Sequence, residues 1–167
     1  MNEETRQHIL KIEKEFPDSF LRIEEFRDEM TLVVRKNDIL DIMKYLKESR
    51  ETAFDFLVDV AGVDYLKYKG DERFAVVYHL YSYTYMTRLR IRAWVPEDDL
   101  NISSMMSLWK TADWQEREIF EMFGINFEGH PDLRKLLLPD DFNGFPLRKD
   151  YPLQGEGYRD NFPNLKH

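Results

Sequence analysis

The sequence predicts an α+β fold, a two-layer domain with helices packed on a largely antiparallel sheet, followed by an extended irregular C-terminal segment. Two observations lead to this prediction. Helix-like and strand-like periodicities alternate up to Phe123, and beyond it lie five of the seven glycines and five of the seven prolines. We therefore expect an α+β domain over residues 1–124 and an extended Pro/Gly-rich segment over residues 125–167.

The first third of the chain predicts a helix and a strand hairpin. Over residues 3–16 apolar side chains recur every three or four positions with charges between them, and a proline ends this helix. The ranges 20–26 and 30–34 have the composition of short strands. We expect them to pair as a hairpin that turns through Asp28 and Glu29.

The middle of the chain predicts a second helix and then the central strands. Residues 39–47 repeat apolar side chains at helical spacing, and Asn37 or Asp38 is the expected cap. A strand is expected over residues 56–63. Residues 74–85 are apolar or aromatic on both alternating sets, which suits a strand covered on both sides.

Polar residues also lie within the predicted sheet. We interpret His79 as a hydrogen-bonded core histidine, because no residue near it in sequence has the spacing of a second metal ligand. Over residues 88–93 three arginines alternate with apolar residues, so the strand has one apolar face and one guanidinium face. A solvated face is our preferred interpretation, and an acidic protein partner is the alternative.

Two helices are expected to follow. Residues 102–104 offer a cap for a short helix that ends at Trp109. A longer helix over residues 112–123 has its apolar residues within about 80° of one direction, and Gly124 ends it. Glu116 falls inside this apolar arc, so it needs a nearby arginine or hydrogen-bond donor.

The opposite face of this longer helix is charged. It carries Asp113, Arg117, Glu118 and Glu121. Trp114 lies among these charges, and a large exposed aromatic side chain often marks an interface. Pairing within the domain and contact with a partner remain equally good explanations for the Glu116-Arg117-Glu118 trio.

Composition excludes several functions. A formal net charge of −8 and a pI near 5.1 argue against nucleic acid as the main partner. The chain has no cysteine, which excludes a disulfide framework, a thiolate nucleophile and Cys-ligated zinc or iron–sulfur clusters. No apolar run approaches the roughly 20 residues that span a bilayer, and the N-terminus lacks the pattern of a signal peptide. We expect a cytosolic or peripheral protein.

The segment beyond Gly124 is too apolar for a solvated tail. Its apolar side chains are Phe127, Leu133, Leu136, Leu137, Leu138, Phe142, Phe145, Leu147 and Tyr151. Full burial of a large apolar side chain stabilises the folded state by about 1.5 to 3 kcal/mol relative to leaving it exposed. A small domain has limited surface to cover them all, so we expect a partner protein to contribute.

Several short motifs, in one order, carry a resemblance. They are Trp114-Gln115-Glu116-Arg117-Glu118, Glu121-Met122-Phe123-Gly124, Gly129-His130-Pro131-Asp132-Leu133-Arg134 and Pro146-Leu147-Arg148-Lys149-Asp150-Tyr151. The chain resembles the C subunit of proton-translocating NADH:quinone oxidoreductase, respiratory complex I. The spacing from Glu116 through His130 to Leu137 matches the family pattern without a gap, and weaker echoes extend the similarity over the whole domain.

The resemblance implies a small hydrophilic component of the peripheral arm of this translocase. Such a component has an α+β domain, an extended C-terminal segment and no redox centre or catalytic residue of its own. It implies the hydrogenase-derived D subunit as the docking partner, the B and I subunits as neighbours, and FMN and iron–sulfur clusters in partner subunits. It also implies a peripheral position on the cytoplasmic side of the cell inner membrane, with membrane contact only through the complex.

The residues expected to fix the tail and the docking with the D subunit follow from the matched motifs. They are Trp114, Glu116, Arg117, Glu118, His130, Arg134, Leu137, Arg148, Lys149 and Asp150. No catalytic, cofactor-binding or metal-binding residue is expected.

Other interpretations remain open. The first is the equivalent component of a related complex, such as the J subunit of photosynthetic NDH-1 or its counterpart in a membrane-bound hydrogenase. The second is a generic protein-interaction adaptor. The third is a stand-alone hydrolase, which would bring Glu116 or Glu118 together with His130 in a cleft.

Overall fold

The computed structural model describes residues 3–27 and 29–155, with side chains from Thr5 onward. The helices are α1 (Glu3–Glu15), α2 (Ile39–Glu48) and α3 (Ala112–Phe123). The strands are β1 (Phe20–Phe26), β2 (Glu29–Val34), β3 (Phe56–Asp64), β4 (Phe74–Ser82), β5 (Thr87–Val95), β6 (Asn101–Ser103) and β7 (Asn126–Glu128). None of the helices in this part of the chain is long and apolar enough to cross a membrane.

The main sheet has five strands in the order β1-β2-β5-β4-β3. All neighbours are antiparallel except β2 and β5, which pair in parallel over residues 31–34 and 90–93. The short strands β6 and β7 form a second, parallel pair. The predicted α+β fold is therefore confirmed, and the sheet is mixed.

The three helices share one apolar core with the main sheet. Ile9 and Ile12 of α1, four residues of α2 and Ile119 of α3 are buried against Leu32, Val76 and other inward-facing strand residues. The helical periodicity of the sequence explains this arrangement, because it places one apolar stripe on each helix. The helix spans 3–16, 39–47 and 112–123 were predicted to within one residue.

Helix α3 packs closely on β3 because the strand residue at the contact is a glycine. A Cβ atom on Gly62 would lie 2.7 Å from Cδ2 of Phe123 and 3.1 Å from Cγ2 of Ile119. The absence of a side chain at Gly62 thus lets the helix backbone come near the sheet. This contact fixes the position of α3, which carries most of the motif residues.

Some local predictions are wrong. Strand β4 ends at Ser82 rather than Tyr85, because residues 83–86 form the turn to β5. Asp38 is the N-cap residue of α2, as expected, but its side chain makes no capping hydrogen bond, and a turn of 3₁₀ helix at Lys36–Asp38 precedes the helix. The turn residue Asp28 lies outside the described residues.

The short helix expected before Trp109 is also absent. Residues 101–103 form β6, which pairs with β7 25 positions away in the sequence, and turns follow up to residue 108. Sequence periodicity suggested a helix because Met105, Met106 and Leu108 have helical spacing. The backbone N–H groups of Ser104 and Met105 donate instead to Glu128 and Glu116.

On the outer face of the sheet, which the helices do not cover, a small apolar cluster forms. Trp94 and Tyr65 cover Val33 and Ala75 there, with ring centroids of the two aromatics 4.9 Å apart. His79 is half-buried on this face, so its interpretation as a core residue was wrong.

The arginines of β5 also lie on this outer face. Two of the three pair within the chain, Arg90 with Glu29 at 3.1 Å and Arg92 with Glu24 at 2.6 Å. The guanidinium face of the strand is thus partly neutralised by acids of β1 and β2.

Candidate docking face on helix α3

The C-terminal segment folds back along α3. The ring nitrogen Nε2 of His130 lies 3.2 Å from the carbonyl oxygen of Asp113, near the start of the helix. One turn later Arg117 donates to the carbonyl oxygens of Arg134 and Lys135, at 3.0 and 3.1 Å. The segment therefore runs parallel to the helix and is held by polar contacts at each turn.

Glu121 makes the densest of these contacts. Its carboxylate accepts the backbone N–H groups of Leu136, Leu137 and Leu138 at 2.9 to 3.1 Å. Three successive N–H groups would otherwise need water or an acceptor, and hydrogen bonds to a carboxylate are among the strong ones. The prediction that Glu121 lies on a charged outer face was wrong, because the segment covers it and leaves it 2% exposed.

Lys135 complements Glu121 within the same segment. Its Nζ donates to the carbonyl oxygens of Pro139, Asp140 and Phe142, at 3.2, 3.0 and 2.6 Å. Residues 129–150 have no helix or strand, so these backbone groups have no ladder to join. Two charged side chains take the place of secondary structure.

Arg73 anchors the end of the segment to the domain. It pairs with Asp64 at 3.3 Å, with Asp150 at 2.7 Å and with Glu97. Burial alone would raise the pKa of Asp64, but hydrogen bonds from the N–H groups of Lys149 and Leu66 and from Arg73 bring that pKa below its ordinary value. Asp64 is thus a buried anion that holds β3, β4 and the segment together.

Arg148 binds a backbone carbonyl group at the C-terminal end of α3. Its Nε donates to the carbonyl oxygen of Phe123 at 2.7 Å, and its guanidinium lies 4.3 Å from the ring centroid of Phe145 and 5.1 Å from that of Phe74. Gly124 has φ of 76°, as a left-handed residue after a helix does. The predicted end of the helix is confirmed.

Glu116 lies in the interior, with no exposed surface. Its carboxylate accepts the hydroxyl of Ser104 at 2.5 Å and the N–H of Met105 at 2.6 Å. Burial raises its pKa to about 7, although the two hydrogen bonds oppose this rise and Asp113 adds to it. The sequence required an arginine or a donor near Glu116, and the structure provides two neutral donors.

The predicted docking residues divide into two sets. Glu116, the ring of His130, Arg117 and Arg148 lie inside or between the helix and the segment, where they fix the segment. The outward set is Trp114, Glu118, Arg134, Leu137, Lys149 and Asp150, of which Asp150 also pairs with Arg73 and so helps to fix the segment. Trp114 is 66% exposed and Leu137 63% exposed, so this set includes two large apolar side chains in solvent.

The structure shows roles that the sequence did not predict. Asp64, Arg73, Glu121 and Lys135 hold the segment, but none of them was among the predicted docking residues. Glu121 contacts residues 15 to 17 positions away, and Arg73 pairs with Asp150, 77 positions away, and no local pattern reports such contacts.

The hydrolase interpretation would need Glu116 or Glu118 beside His130, and the contacts of Glu116 and His130 in the described residues are with other groups. His130 contacts Asp113 and the N–H of Asp132, whereas Glu116 is bound to Ser104 inside the domain. Glu118 is exposed. Within residues 3–27 and 29–155, no three His, Asp or Glu side chains are grouped as a metal site.

Comparisons with known proteins agree on one family. The family model of the respiratory-chain NADH dehydrogenase 30 Kd subunit matches residues 32–157. The C subunit of the NADH-quinone oxidoreductase of Geobacter metallireducens is 46% identical over 92% of this chain and 93% of its own length. The protein of the same name from Roseiflexus sp. is 44% identical over 84% of this chain and 79% of its own length.

Solved structures show the same fold. A trypsin-resistant fragment of Nqo5 superposes with a TM-score of 0.68 at 33% identity, over 78% of this chain and 99% of the fragment. A chain of a membrane-bound sulfane sulfur reductase, an archaeal respiratory membrane complex, has a TM-score of 0.75 at 22% identity, over 90% of this chain and 87% of its own. With the family match over residues 32–157, these similarities show that the chain belongs to the respiratory-chain NADH dehydrogenase 30 Kd subunit family.

Proposed function

We propose that this chain is a non-redox peripheral-arm component of a proton-translocating NADH:quinone oxidoreductase. It supports the assembly and stability of the quinone-reducing module by docking on the D subunit. The relatives named as the C subunit of NADH-quinone oxidoreductase support the complex, at 44 to 47% identity. The observation that carries the docking is the exposure of two large apolar side chains, Trp114 on α3 and Leu137 on a segment whose backbone is already fixed.

Fixing the segment before it meets a partner favours binding. Glu121 and Lys135 satisfy backbone groups of residues 136–142, and Arg117 holds residues 134 and 135. A preorganised surface loses less conformational entropy on association than a disordered one. Trp114 and Leu137 then present apolar area to the partner, and Arg134 and Glu118 supply charges at its rim.

The remaining parts of the proposal concern the neighbouring subunits, their cofactors and the side of the membrane. The B and I subunits are the proposed neighbours, and FMN and the iron–sulfur clusters belong to partner subunits. The chain has no cysteine with which to ligate a cluster. We place it on the cytoplasmic side of the membrane, in contact with the bilayer only through the complex, and assign it no catalytic residue.

The test is affinity purification of the tagged chain at low detergent, followed by identification of the co-purified subunits. Leu137→Asp and Trp114→Ala are expected to reduce recovery of the D subunit by about tenfold each, because both remove apolar contact at the interface. Tyr68→Ala is the control, since Tyr68 is a large side chain that is 69% exposed on the loop between β3 and β4 and not on α3. Unchanged recovery with both variants would rule out this docking face.

The competing function is a generic adaptor outside any redox complex. Its expected preparation is colourless and lacks subunits with Cys-ligated clusters. A preparation with the absorbance of iron–sulfur clusters supports the proposed role in the oxidoreductase. The corresponding component of a membrane-bound hydrogenase or of photosynthetic NDH-1 is distinguished by the other subunits that co-purify.

A further inference from the structure

One dipeptide of the C-terminal segment, Asn143-Gly144, has the composition that favours a spontaneous chemical change of asparagine. Asn143 is the only asparagine of the sequence that is followed by glycine. Asparagine is among the thermolabile residues of proteins. Its side-chain amide lies close along the chain to the backbone nitrogen of the next residue, and a glycine there has no Cβ to hinder the approach of the two groups. The dipeptide is therefore a candidate modification site.

The structure leaves this dipeptide accessible and unrestrained. Asn143 and Gly144 are both exposed and lie outside the helices and strands. Within residues 3–27 and 29–155, neither the side chain of Asn143 nor the N–H of Gly144 makes a hydrogen bond. Gly144 has φ of 112°, in the region that favours glycine. No hydrogen bond in the described part of the chain thus opposes the rotation that brings the amide carbon to the backbone nitrogen.

Two other asparagines have the opposite environment. Asn101 and Asn126 lie in the paired strands β6 and β7, and the side-chain nitrogen of Asn126 donates to the side-chain oxygen of Asn101 at 2.7 Å. The residues that follow them, Ile102 and Phe127, are each 2% exposed. Strand pairing and buried neighbouring side chains hold these two asparagines in place. They are therefore internal references for Asn143.

We propose that Asn143 forms a succinimide with Gly144 and is thereby converted to aspartate and isoaspartate. The backbone nitrogen of Gly144 attacks Cγ of Asn143, and this new C–N bond closes the ring. The side-chain nitrogen leaves as ammonia, taking the proton that the Gly144 nitrogen loses. Water then adds to either ring carbonyl carbon and breaks the bond from that carbon to the ring nitrogen. One opening gives aspartate, and the other gives isoaspartate, in which the main chain runs through the side-chain carbons.

The position of the dipeptide between two fixed residues makes the isoaspartate product disruptive. On one side, the N–H of Phe142 donates to Pro139 at 3.0 Å, and the carbonyl of Phe142 accepts Nζ of Lys135 at 2.6 Å. On the other side, the ring centroid of Phe145 lies 4.3 Å from the guanidinium of Arg148. Isoaspartate adds a methylene group to the main chain between these contacts, so one of them must give way.

The packing of Gly144 itself also opposes a longer main chain. A Cβ atom on Gly144 would lie 2.7 Å from Cε2 of Tyr151, so the backbone already packs against that ring. Lengthening the chain at residue 143 displaces Gly144 from this contact. Aspartate, by contrast, keeps the length of the main chain and adds a negative charge at an exposed position. Isoaspartate therefore loosens residues 142–151, whereas aspartate leaves them in place.

Ageing of the isolated full chain at mildly alkaline pH, followed by peptide mapping, tests the reaction independently of the proposed docking. We expect Asn143 to convert about tenfold faster than Asn101 or Asn126, because its attacking nitrogen is unhindered. An isoaspartyl methyltransferase with labelled S-adenosylmethionine should methylate the peptide that contains residue 143. Asn143→Gln is the control, since it keeps the amide but would have to close a larger and less favourable ring. Equal conversion of the three asparagines, or equal labelling of the control, would overturn the proposal.

Hydrogen exchange of the aged chain tests the effect on the segment. Asn143→Asp is the matched control, because it has the charge of the aspartate product and a main chain of normal length. In the isoaspartate form we expect faster exchange over residues 142–151 and faster tryptic cleavage after Arg148. Asn143→Asp and aged Asn143→Gln should stay as protected as the fresh chain. Equal protection of the isoaspartate form and Asn143→Asp would show that the modification does not loosen the segment.

Discussion

Glu121 and Leu137 are joined by two hydrogen bonds, because the backbone nitrogen of Leu137 lies 2.9 and 3.1 Å from the two carboxylate oxygens of Glu121. The contact links a buried acid of α3 to an exposed apolar residue of the C-terminal segment. It explains how Leu137 can be fixed in place while its side chain remains 63% exposed. The position of the candidate docking residue therefore depends on a charge in the helix beneath it.

Glu121→Ala should release the segment without unfolding the domain. It leaves the N–H groups of residues 136–138 without their acceptor, at about 1–3 kcal/mol for each group that stays buried. We expect faster hydrogen exchange at these amides and faster tryptic cleavage after Arg134 and Lys135. Glu118→Ala is the control, because Glu118 is exposed on the same helix. Equal protection in both variants would show that Glu121 does not hold the segment.

The contrast between Glu116 and Glu121 shows how far the sequence predicts the site. A helical wheel placed Glu116 on the apolar face and Trp114 on the outer face, and both placements are confirmed, since the first is 0% and the second 66% exposed. The same wheel put Glu121 outside. It treats the helix alone and cannot include a segment that returns 15 residues later.

The same limit applies to the sheet. The spans of β1, β2, α2 and α3 follow from local periodicity and were predicted to within a residue or so. The parallel pairing of β2 with β5, and that of β6 with β7, joins residues distant in sequence. Strands of three residues also carry too little pattern to be recognised. The network around Arg73 was missed for the same reason.

The carboxyl group of Glu116 should make stability depend on pH. Its pKa is about 7 in the folded protein against 4.5 for an ordinary glutamate, so the folded state binds the proton more tightly. The resulting stabilisation is fully present below about pH 4.5 and is lost as pH rises to about 7, a loss on the order of 3 kcal/mol. Asp113 on α3 and Tyr78 on β4 are the other titratable groups coupled to it.

Glu116→Gln removes this titration and keeps a neutral side chain that can still accept the N–H of Met105. Relative to the unmodified chain, its free energy of unfolding should therefore rise as pH increases from 5 to 8. Glu116→Ala should be less stable than Glu116→Gln throughout, because it leaves a cavity and an unpaired N–H. Urea denaturation at several pH values measures both, and parallel pH profiles for the chain and Glu116→Gln would contradict the assigned titration.

Arg73→Ala should destabilise the protein far more than loss of an exposed ion pair. It leaves the buried carboxylate of Asp64 without a cation and frees Asp150 from the domain, at about 3–5 kcal/mol. Arg22→Ala is the matched control, since the Arg22 and Asp71 side chains are 40% and 49% exposed and such pairs contribute about 0–1 kcal/mol. Chemical denaturation measures the free energy of unfolding of both variants. Similar losses would mean that Arg73 contributes no more to stability than an exposed ion pair does.

Gly62→Ala should separate α3 from β3. The added Cβ would lie 2.7 and 2.9 Å from two ring carbons of Phe123, so either the ring or the helix must move, at about 1–3 kcal/mol. Gly129→Ala isolates the effect of backbone conformation, because Gly129 has φ of 85° and no atom within 4 Å of the added Cβ. Phe123→Leu combined with Gly62→Ala should recover part of the lost stability, since a shorter side chain relieves the contact. Thermal denaturation of Gly62→Ala, Phe123→Leu and the double variant gives the coupling energy between the two sites, with Gly129→Ala measured beside them. Strictly additive losses of stability would exclude steric contact as the cause.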